Sequence, residues 1–149
     1  MRARQAFSTS VGSKLLIAFT GLTLVGFLAF HLFGNLLLFF GPEKYNEHAY
    51  ALISNPLVIP AELGLAALFL LHVIKAVLND FSNRGARPRA YEVKTWAGGP
   101  SRKSWASATM IFSGLTIFTF VPLHLVTFKY GAYYPSSAAG VRDLYRLLI

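Results

Sequence analysis

Three apolar stretches of this chain are each long enough to cross a lipid bilayer as an α-helix: about 15–40, 58–78 and 105–128. The hydrocarbon layer is ~30 Å thick and a helix rises ~1.5 Å per residue, so one span needs ~20 apolar residues. The first and third stretches contain no charge, and the second has only Glu62 and Lys75 near its ends. The sequence therefore predicts an all-α membrane protein, a transmembrane helix bundle whose three spans form one domain over residues 1–149.

Composition and charge agree with a membrane protein. Apolar residues make up 54% and charged residues 13% of the chain, whereas soluble domains carry about 25% charged residues. Membrane topology explains the formal net charge of +8, so a nucleic-acid partner is not needed. Because the chain has no cysteine, it holds neither a disulfide nor a cysteine-ligated iron–sulfur cluster, and any such cluster must belong to a partner.

The N-terminal segment has the basic residues of a signal peptide, Arg2, Arg4 and Lys14. The apolar run that follows them is roughly twice as long as the apolar region of a signal peptide. It also contains His31 and Asn35. We therefore expect a retained transmembrane helix at the N-terminus and no cleaved signal.

The distribution of basic residues predicts the orientation, because basic residues mark the cytoplasmic side of a membrane protein. The connection between the second and third spans has six basic and two acidic residues. We expect the chain in the inner (cytoplasmic) membrane of the cell. The N-terminus and this second connection then lie in the cytoplasm, and the first connection and the C-terminal tail lie outside. The basic residues of this connection either orient the protein and bind lipid headgroups, or form a docking surface for a soluble partner. They are Arg84, Arg87, Arg89, Lys94, Arg102 and Lys103.

Each apolar stretch contains one histidine: His31, His72 and His124. An ionisable side chain within a membrane is costly and marks a functional site by default. A neutral imidazole is also a usual axial ligand of haem iron. The three residues are therefore candidate haem ligands. For each of them, a hydrogen bond to a neighbouring helix is the alternative.

The positions of the histidines along their helices predict two levels in the membrane. His31 lies seventeen residues after Lys14, which corresponds to ~25 Å from the cytoplasmic side. His124 lies ~30 Å from that side, counted from residue 104. His72 lies seven residues before Asn79, only ~10 Å deep. His31 and His124 can thus hold an outer haem between them, and His72 can provide one ligand of an inner haem.

Small and polar residues lie beside these histidines. Gly34 lies on the helix face of His31 and leaves room either for a flat porphyrin or for close helix packing. Asn35 can donate to a ligand or a propionate, or bond across helices. Pro122 removes a backbone donor, which favours a kink just before the third histidine. In the first connection, His48 is expected to be solvated or interfacial.

The chain resembles the cytochrome b subunits of succinate:quinone oxidoreductases, in the di-haem, single-anchor family called the b558 type. The resemblance extends over essentially the whole sequence, and its most specific part is His31-Leu32-Phe33-Gly34-Asn35 followed by the later histidines. The other similar segments are Ser13-Lys14, 18–22, 26–28, Glu62-Leu63, Leu71-His72, 101–104, Ser113-Gly114, 123–125 and 141–145.

The resemblance implies specific ligand roles. Members of the family have five transmembrane helices, two b haems and four haem-ligating histidines. By this likeness His31 and His124 ligate the distal, outer haem, and His72 is one ligand of the proximal, inner haem. The fourth and fifth helices and the second proximal ligand are not found in this sequence. We therefore expect either a C-terminally incomplete sequence or a subunit that a second polypeptide completes.

The resemblance also implies partners and a reaction. A flavoprotein subunit oxidises succinate, an iron–sulfur subunit passes the electrons to the haems, and a membrane quinone, commonly menaquinone, exchanges electrons with them. Lys14, Arg102 and Lys103 at the inner rim are candidate partners of the inner haem propionates, or else anchors whose charged ends reach the membrane surface. The alternative functions are another b-type membrane cytochrome, and a non-redox membrane anchor or transporter.

Overall fold

The computed structural model describes residues 10–86, 105–136 and 141–149. Its contacts divide the chain into two compact units, Met1–Ser82 with Ala132–Ile149, and Asn83–Gly131. Most of the described residues are helical, and the β-structure among them is limited to one isolated bridge. The all-α fold expected from the sequence is thus confirmed.

Helix α1, Ser10–Leu36, is the first long apolar helix and continues as a 3₁₀ helix, Leu37–Phe40. Gly41 follows with φ +94°, a backbone conformation that glycine adopts without steric cost. Helix α2, Pro42–Ile53, begins directly after it, with proline in the first turn, where its missing N–H leaves no helical hydrogen bond unmade. The Gly41-Pro42 pair therefore ends one helix and starts the next. The sequence predicted only a connection here, so α2 is an additional element.

Helix α3, Val58–Gly85, follows a short turn. In this turn the side-chain Oδ1 of Asn55 accepts a hydrogen bond from the backbone N–H of Leu57, at 2.9 Å. The helix continues seven residues beyond the predicted end of the span at residue 78. These last turns include Asp80 and Arg84, so the added length is polar and the apolar part agrees with the prediction.

Helix α4, Trp105–His124, belongs to the second unit and continues as a π-helix, Leu125–Lys129. Pro122 lies inside α4. The wider π turn begins directly after His124, and the backbone N–H of Tyr130 donates to the carbonyl five residues before it, at 3.0 Å. The third predicted span is thus present, with a change of helix type beside its histidine.

All three long helices have the length and hydropathy of a membrane span: Val11–Phe40, Val58–Gly85 and Trp105–Lys129. Their large apolar side chains point outward; Leu22 and Phe112, for example, are each 72% exposed. Continuous apolar surface of this extent is stable in lipid and costly in water. The chain is therefore a membrane protein, with the three spans that the sequence predicts.

The C-terminal residues of the first unit fold back on themselves and contact α2. An isolated antiparallel bridge joins Pro135 and Arg142. Beside it, the backbone N–H of Asp143 donates to the carbonyl of Tyr134, at 2.7 Å. A short 3₁₀ helix, Tyr145–Leu147, follows and packs on α2. We call residues 141–149 the C-terminal segment.

Candidate functional site

His72 on α3 faces helix α1. Its ring atom Nδ1 lies 2.9 Å from the hydroxyl Oγ1 of Thr20. Thr20 is only 2% exposed, and the same hydroxyl lies 2.8 Å from the carbonyl oxygen of Leu16 and 3.1 Å from that of Ile17. The imidazole therefore takes part in a desolvated polar contact between two membrane-spanning helices.

Gly21 allows the imidazole to approach α1 this closely. A Cβ atom placed on Gly21 would lie 3.0 Å from Cε1 of His72 and 3.6 Å from Nδ1. Carbon atoms make their best contacts at about 3.5–4.0 Å, so a side chain at this position would push the ring away. Thr20 and Gly21 together form what we call the His72 cradle.

The cradle places His72 at one level along α1. Thr20 lies six residues after Lys14, ~9 Å along the helix, and His72 lies ~10 Å from Asn79 on its own helix. His31 lies eleven residues after Thr20, ~17 Å further along α1. The two candidate ligands in the first unit are therefore separated along the helix axis, in the sense expected for an inner and an outer site.

His31 lies near the C-terminal end of α1 with an exposed side chain. Its ring stacks on that of Phe27, with the ring centroids 5.4 Å apart and an angle of 21° between the planes. The side-chain Nδ2 of Asn35 donates to the backbone carbonyl of His31, at 2.8 Å. The amide of Asn35 therefore supports the last turns of the helix that presents His31.

His124 is the last residue of α4 and is half-buried between two phenylalanines. Its ring centroid lies 5.3 Å from that of Phe120 and 5.0 Å from that of Phe128. The stacking gives the imidazole an apolar surrounding within its own unit. Since His31 belongs to the other unit, the expected pairing of these two histidines stays a prediction.

His48 on α2 is half-buried and lies against α1. Its Nε2 would be 3.2 Å from a Cβ atom placed on Gly34. This nitrogen is buried and has no hydrogen-bond partner among the residues that the structure describes. Of the two roles considered for Gly34, the structure therefore shows close packing of a neighbouring helix.

A second contact joins α2 to α1 through Tyr45. Its hydroxyl donates to Oδ1 of Asn35, at 3.2 Å. Burial raises the pKa of the Tyr45 hydroxyl above its ordinary value, so the side chain stays protonated and keeps its donor. The cross-helix hydrogen bond that was one expectation for Asn35 is thus present.

Asn46 connects α2 to the C-terminal segment and is only 4% exposed. Its Oδ1 accepts hydrogen bonds from the backbone N–H groups of Leu144 and Tyr145, at 3.0 and 3.1 Å. Its Nδ2 donates to Oδ1 of Asp143, at 2.8 Å. One buried amide therefore holds three consecutive residues of the segment.

The predicted propionate partners are only partly within the described residues. Lys14 is an exposed residue in the second turn of α1. Arg102 and Lys103 lie outside the residues that the structure describes. Over the described ranges, no three His, Cys, Asp or Glu side chains form a cluster that could hold a metal ion. A haem with two axial imidazoles needs no such cluster.

Sequence reasoning did not identify the Thr20 and Gly21 cradle, nor Tyr45 and Asn46. A signal for the cradle existed, since the helix rise places Thr20 and His72 at about the same distance from the cytoplasmic side. The contacts of Asn46 had no such signal, because they join residues almost a hundred positions apart in the chain.

No protein-family model, no curated protein and no solved structure matches this chain. The fold and the described contacts define an all-α membrane protein with a partly buried imidazole–hydroxyl contact between two of its spans.

Proposed function

We propose that this chain is the haem b-containing membrane anchor subunit of a succinate:quinone oxidoreductase. The observation that carries the proposal is the state of His72. Its Nδ1 is engaged by Thr20, while no hydrogen bond to Nε2 is found among the described residues. Histidines that ligate metals commonly use one ring nitrogen for an oxygen partner and the other for the metal. The sequence resemblance supplies the identity of the complex.

The residues of the chain have distinct roles in this proposal. His72 would be a ligand of the inner haem, and, as the family resemblance implies, His31 and His124 would be the ligands of the outer haem. When bound, haem b supplies one-electron oxidation and reduction. The phenylalanine rings beside His31 and His124 would lower the local dielectric at the outer haem, which tunes its potential. Lys14, Arg102 and Lys103 are the candidate residues that would pair with the inner propionates.

The same proposal names the partners. An iron–sulfur subunit docks on the cytoplasmic face, where the basic second connection offers positive charge. A flavoprotein subunit carries the succinate chemistry, and a membrane quinone, commonly menaquinone, exchanges electrons at the outer side. The membrane subunit therefore relays electrons without touching succinate.

One observation also favours a non-redox membrane anchor. A histidine that only joins two helices would make the same hydrogen bond that His72 makes to Thr20. In that case Nε2 has no ligand to bind, and the chain contains no haem. The two functions therefore differ in a single measurable property, the presence of a b-type spectrum.

The test is a reduced-minus-oxidised visible spectrum of the protein purified in mild detergent from membranes supplied with haem. We expect the α and Soret bands of low-spin b haem with two axial imidazoles. Protein that is folded and membrane-inserted but shows no haem spectrum would exclude the proposal. Co-purification of flavin and iron–sulfur subunits separates the succinate enzyme from a b-type cytochrome that serves another pathway.

A further inference from the structure

We infer that Thr20 is a positioning residue that sets the tautomer and orientation of His72, so that Nε2 is the atom that binds iron. The inference rests on the proposed function, because it concerns the inner haem site. It adds a residue and a proton assignment that neither the histidine pattern nor the family resemblance contains.

The assignment follows from the protons available at the contact. The Thr20 hydroxyl has one proton to donate. Three atoms lie within hydrogen-bonding distance of its oxygen: the carbonyl oxygens of Leu16 and Ile17, and Nδ1 of His72. The carbonyl oxygens of Leu16 and Ile17 can only accept. The hydroxyl proton therefore lies toward these carbonyls, as in the exposed Thr23, whose hydroxyl donates to its own helix at 3.0 Å. The Thr20 oxygen then accepts, and His72 carries its proton on Nδ1.

A neutral imidazole with its proton on Nδ1 has its lone pair on Nε2. That lone pair is what a haem iron requires from an axial histidine. The Nδ1–H···O hydrogen bond also increases the basicity of the ring and strengthens its bond to the metal. Thr20 thus acts through His72 and does not touch the haem itself.

Burial makes the contact effective. Because Thr20 is only 2% exposed, its hydroxyl is desolvated, and a hydrogen bond to it is stronger than one made in water. Gly21 supplies the space, since a Cβ atom there would lie 3.0 Å from Cε1 of the ring. Gly26, on the same helix, has no atom of the described residues within 4 Å of such a Cβ, so the close approach at Gly21 is not a general property of the glycines of α1.

The first test compares Thr20→Val with Thr20→Ser and Thr23→Val. Valine keeps the size of threonine and removes the acceptor, serine keeps the acceptor, and Thr23 is an exposed threonine on the same helix. We expect Thr20→Val to weaken haem retention at the inner site about tenfold or more. Its inner-haem potential should rise, because a less basic imidazole stabilises the ferric state less. Thr20→Ser and Thr23→Val should resemble the wild type in both measurements.

A matched pair of glycine variants tests the geometry of the cradle. Gly21→Ala should reduce inner-haem occupancy and alter its spectrum, because the new methyl group displaces the ring. Gly26→Ala adds the same methyl group in open space and should leave both unchanged. Equal behaviour of the two alanine variants would overturn the role of Gly21.

The tautomer can be measured without haem. Histidine ¹⁵N chemical shifts of the haem-free, full-length protein in detergent distinguish a proton on Nδ1 from one on Nε2. We expect His72 with its proton on Nδ1 in the wild type and a mixture in Thr20→Val. A wild-type His72 with its proton on Nε2 would overturn the inference, even if Thr20→Val fails to assemble.

The outcomes also separate the inference from the proposed function. A wild-type protein without haem contradicts the function. A wild-type protein with haem, in which Thr20→Val and Thr23→Val have the same inner-haem affinity and potential, contradicts only the role of Thr20.

Discussion

At the scale of single residues, small side chains decide where imidazoles can lie. Gly21 admits the ring of His72, and Gly34 admits the ring of His48. Both glycines lie on α1, and both face a helix that follows later in the chain. Glycine is usually unfavourable in a helix by about 1 kcal/mol relative to alanine, so close packing offsets this cost.

Gly34→Ala should destabilise the protein, because the added Cβ lies 3.2 Å from Nε2 of His48. We expect a loss of about 1–3 kcal/mol, typical of an overpacked site, measured by thermal unfolding in detergent. Combining Gly34→Ala with His48→Ala should restore part of this loss, because the clash is removed. Gly26→Ala is the control for helix propensity. If the stability losses of Gly34→Ala and His48→Ala simply add in the double variant, the contact between Gly34 and His48 does not affect stability.

Tyr45 gives a pH dependence whose sign is defined by its burial. Burial raises its pKa, so the protonated side chain stabilises the folded state fully below the ordinary pKa of about 10. This contribution is lost as the pH rises through the raised pKa of the folded protein. Tyr45→Phe should cost about 1 kcal/mol at neutral pH, and the difference from wild type should shrink above pH ~10. A difference that stays constant with pH would contradict this assignment.

At the scale of elements, helix α2 is the part that joins α1 to the C-terminal segment. It contacts α1 through Tyr45 and His48 and the C-terminal segment through Asn46. The three residues lie within a single turn of α2. A short helix of low average hydropathy thus organises one end of the first unit, where the sequence predicted the outer side of the membrane.

Asn46→Ala should release the C-terminal segment from α2. The change removes the acceptor of two backbone N–H groups and the donor to Asp143. Leaving such groups without partners costs about 1–3 kcal/mol. Since 1.4 kcal/mol corresponds to a factor of ten, tryptic cleavage after Arg142 should accelerate about tenfold in detergent, as followed by mass spectrometry.

Asn55→Ala is the matched control for this experiment. Asn55 is an exposed asparagine whose side chain bonds only the local backbone at Leu57. It should leave the cleavage rate after Arg142 unchanged. Equal cleavage rates in the Asn46 and Asn55 variants would mean that Asn46 does not hold the segment.

At the scale of the whole molecule, the distribution of basic residues predicts the orientation in the membrane. A topology reporter fused at Gly98, in the basic second connection, should read as cytoplasmic. A reporter fused at Ser54, between α2 and α3, should read as external. The reverse result would overturn the orientation and the depths of all three histidines together.

The two-level arrangement predicts which histidines act together. Replacing His31 or His124 with alanine should remove the same spectral component, since the sequence predicts both at ~25–30 Å from the cytoplasmic side. Replacing His72 should remove or alter the other component. Only variants that still assemble in the membrane are informative. If the His31 and His72 variants lose one component and the His124 variant loses the other, the pairing proposed here is wrong.

The sequence by itself determined the three membrane spans. Long uncharged runs such as 15–40 leave no other stable structure in lipid, because a helix satisfies its own backbone hydrogen bonds. Composition is sufficient for this result because the bilayer, rather than a particular partner side chain, is what the apolar surface contacts. The candidate histidines were visible for the same reason, as polar exceptions within apolar runs.

Only the tertiary structure decided which side chains meet. Three contacts depend on helix rotation and on the approach of distant parts of the chain. His72 contacts Thr20, His48 packs on Gly34, and Asn46 binds the C-terminal segment. In a bilayer every outward apolar face is equally acceptable, so hydrophobic periodicity does not specify these rotations. Hydrogen bonds and close packing between particular residues specify them, and these appear only when the helices are placed together.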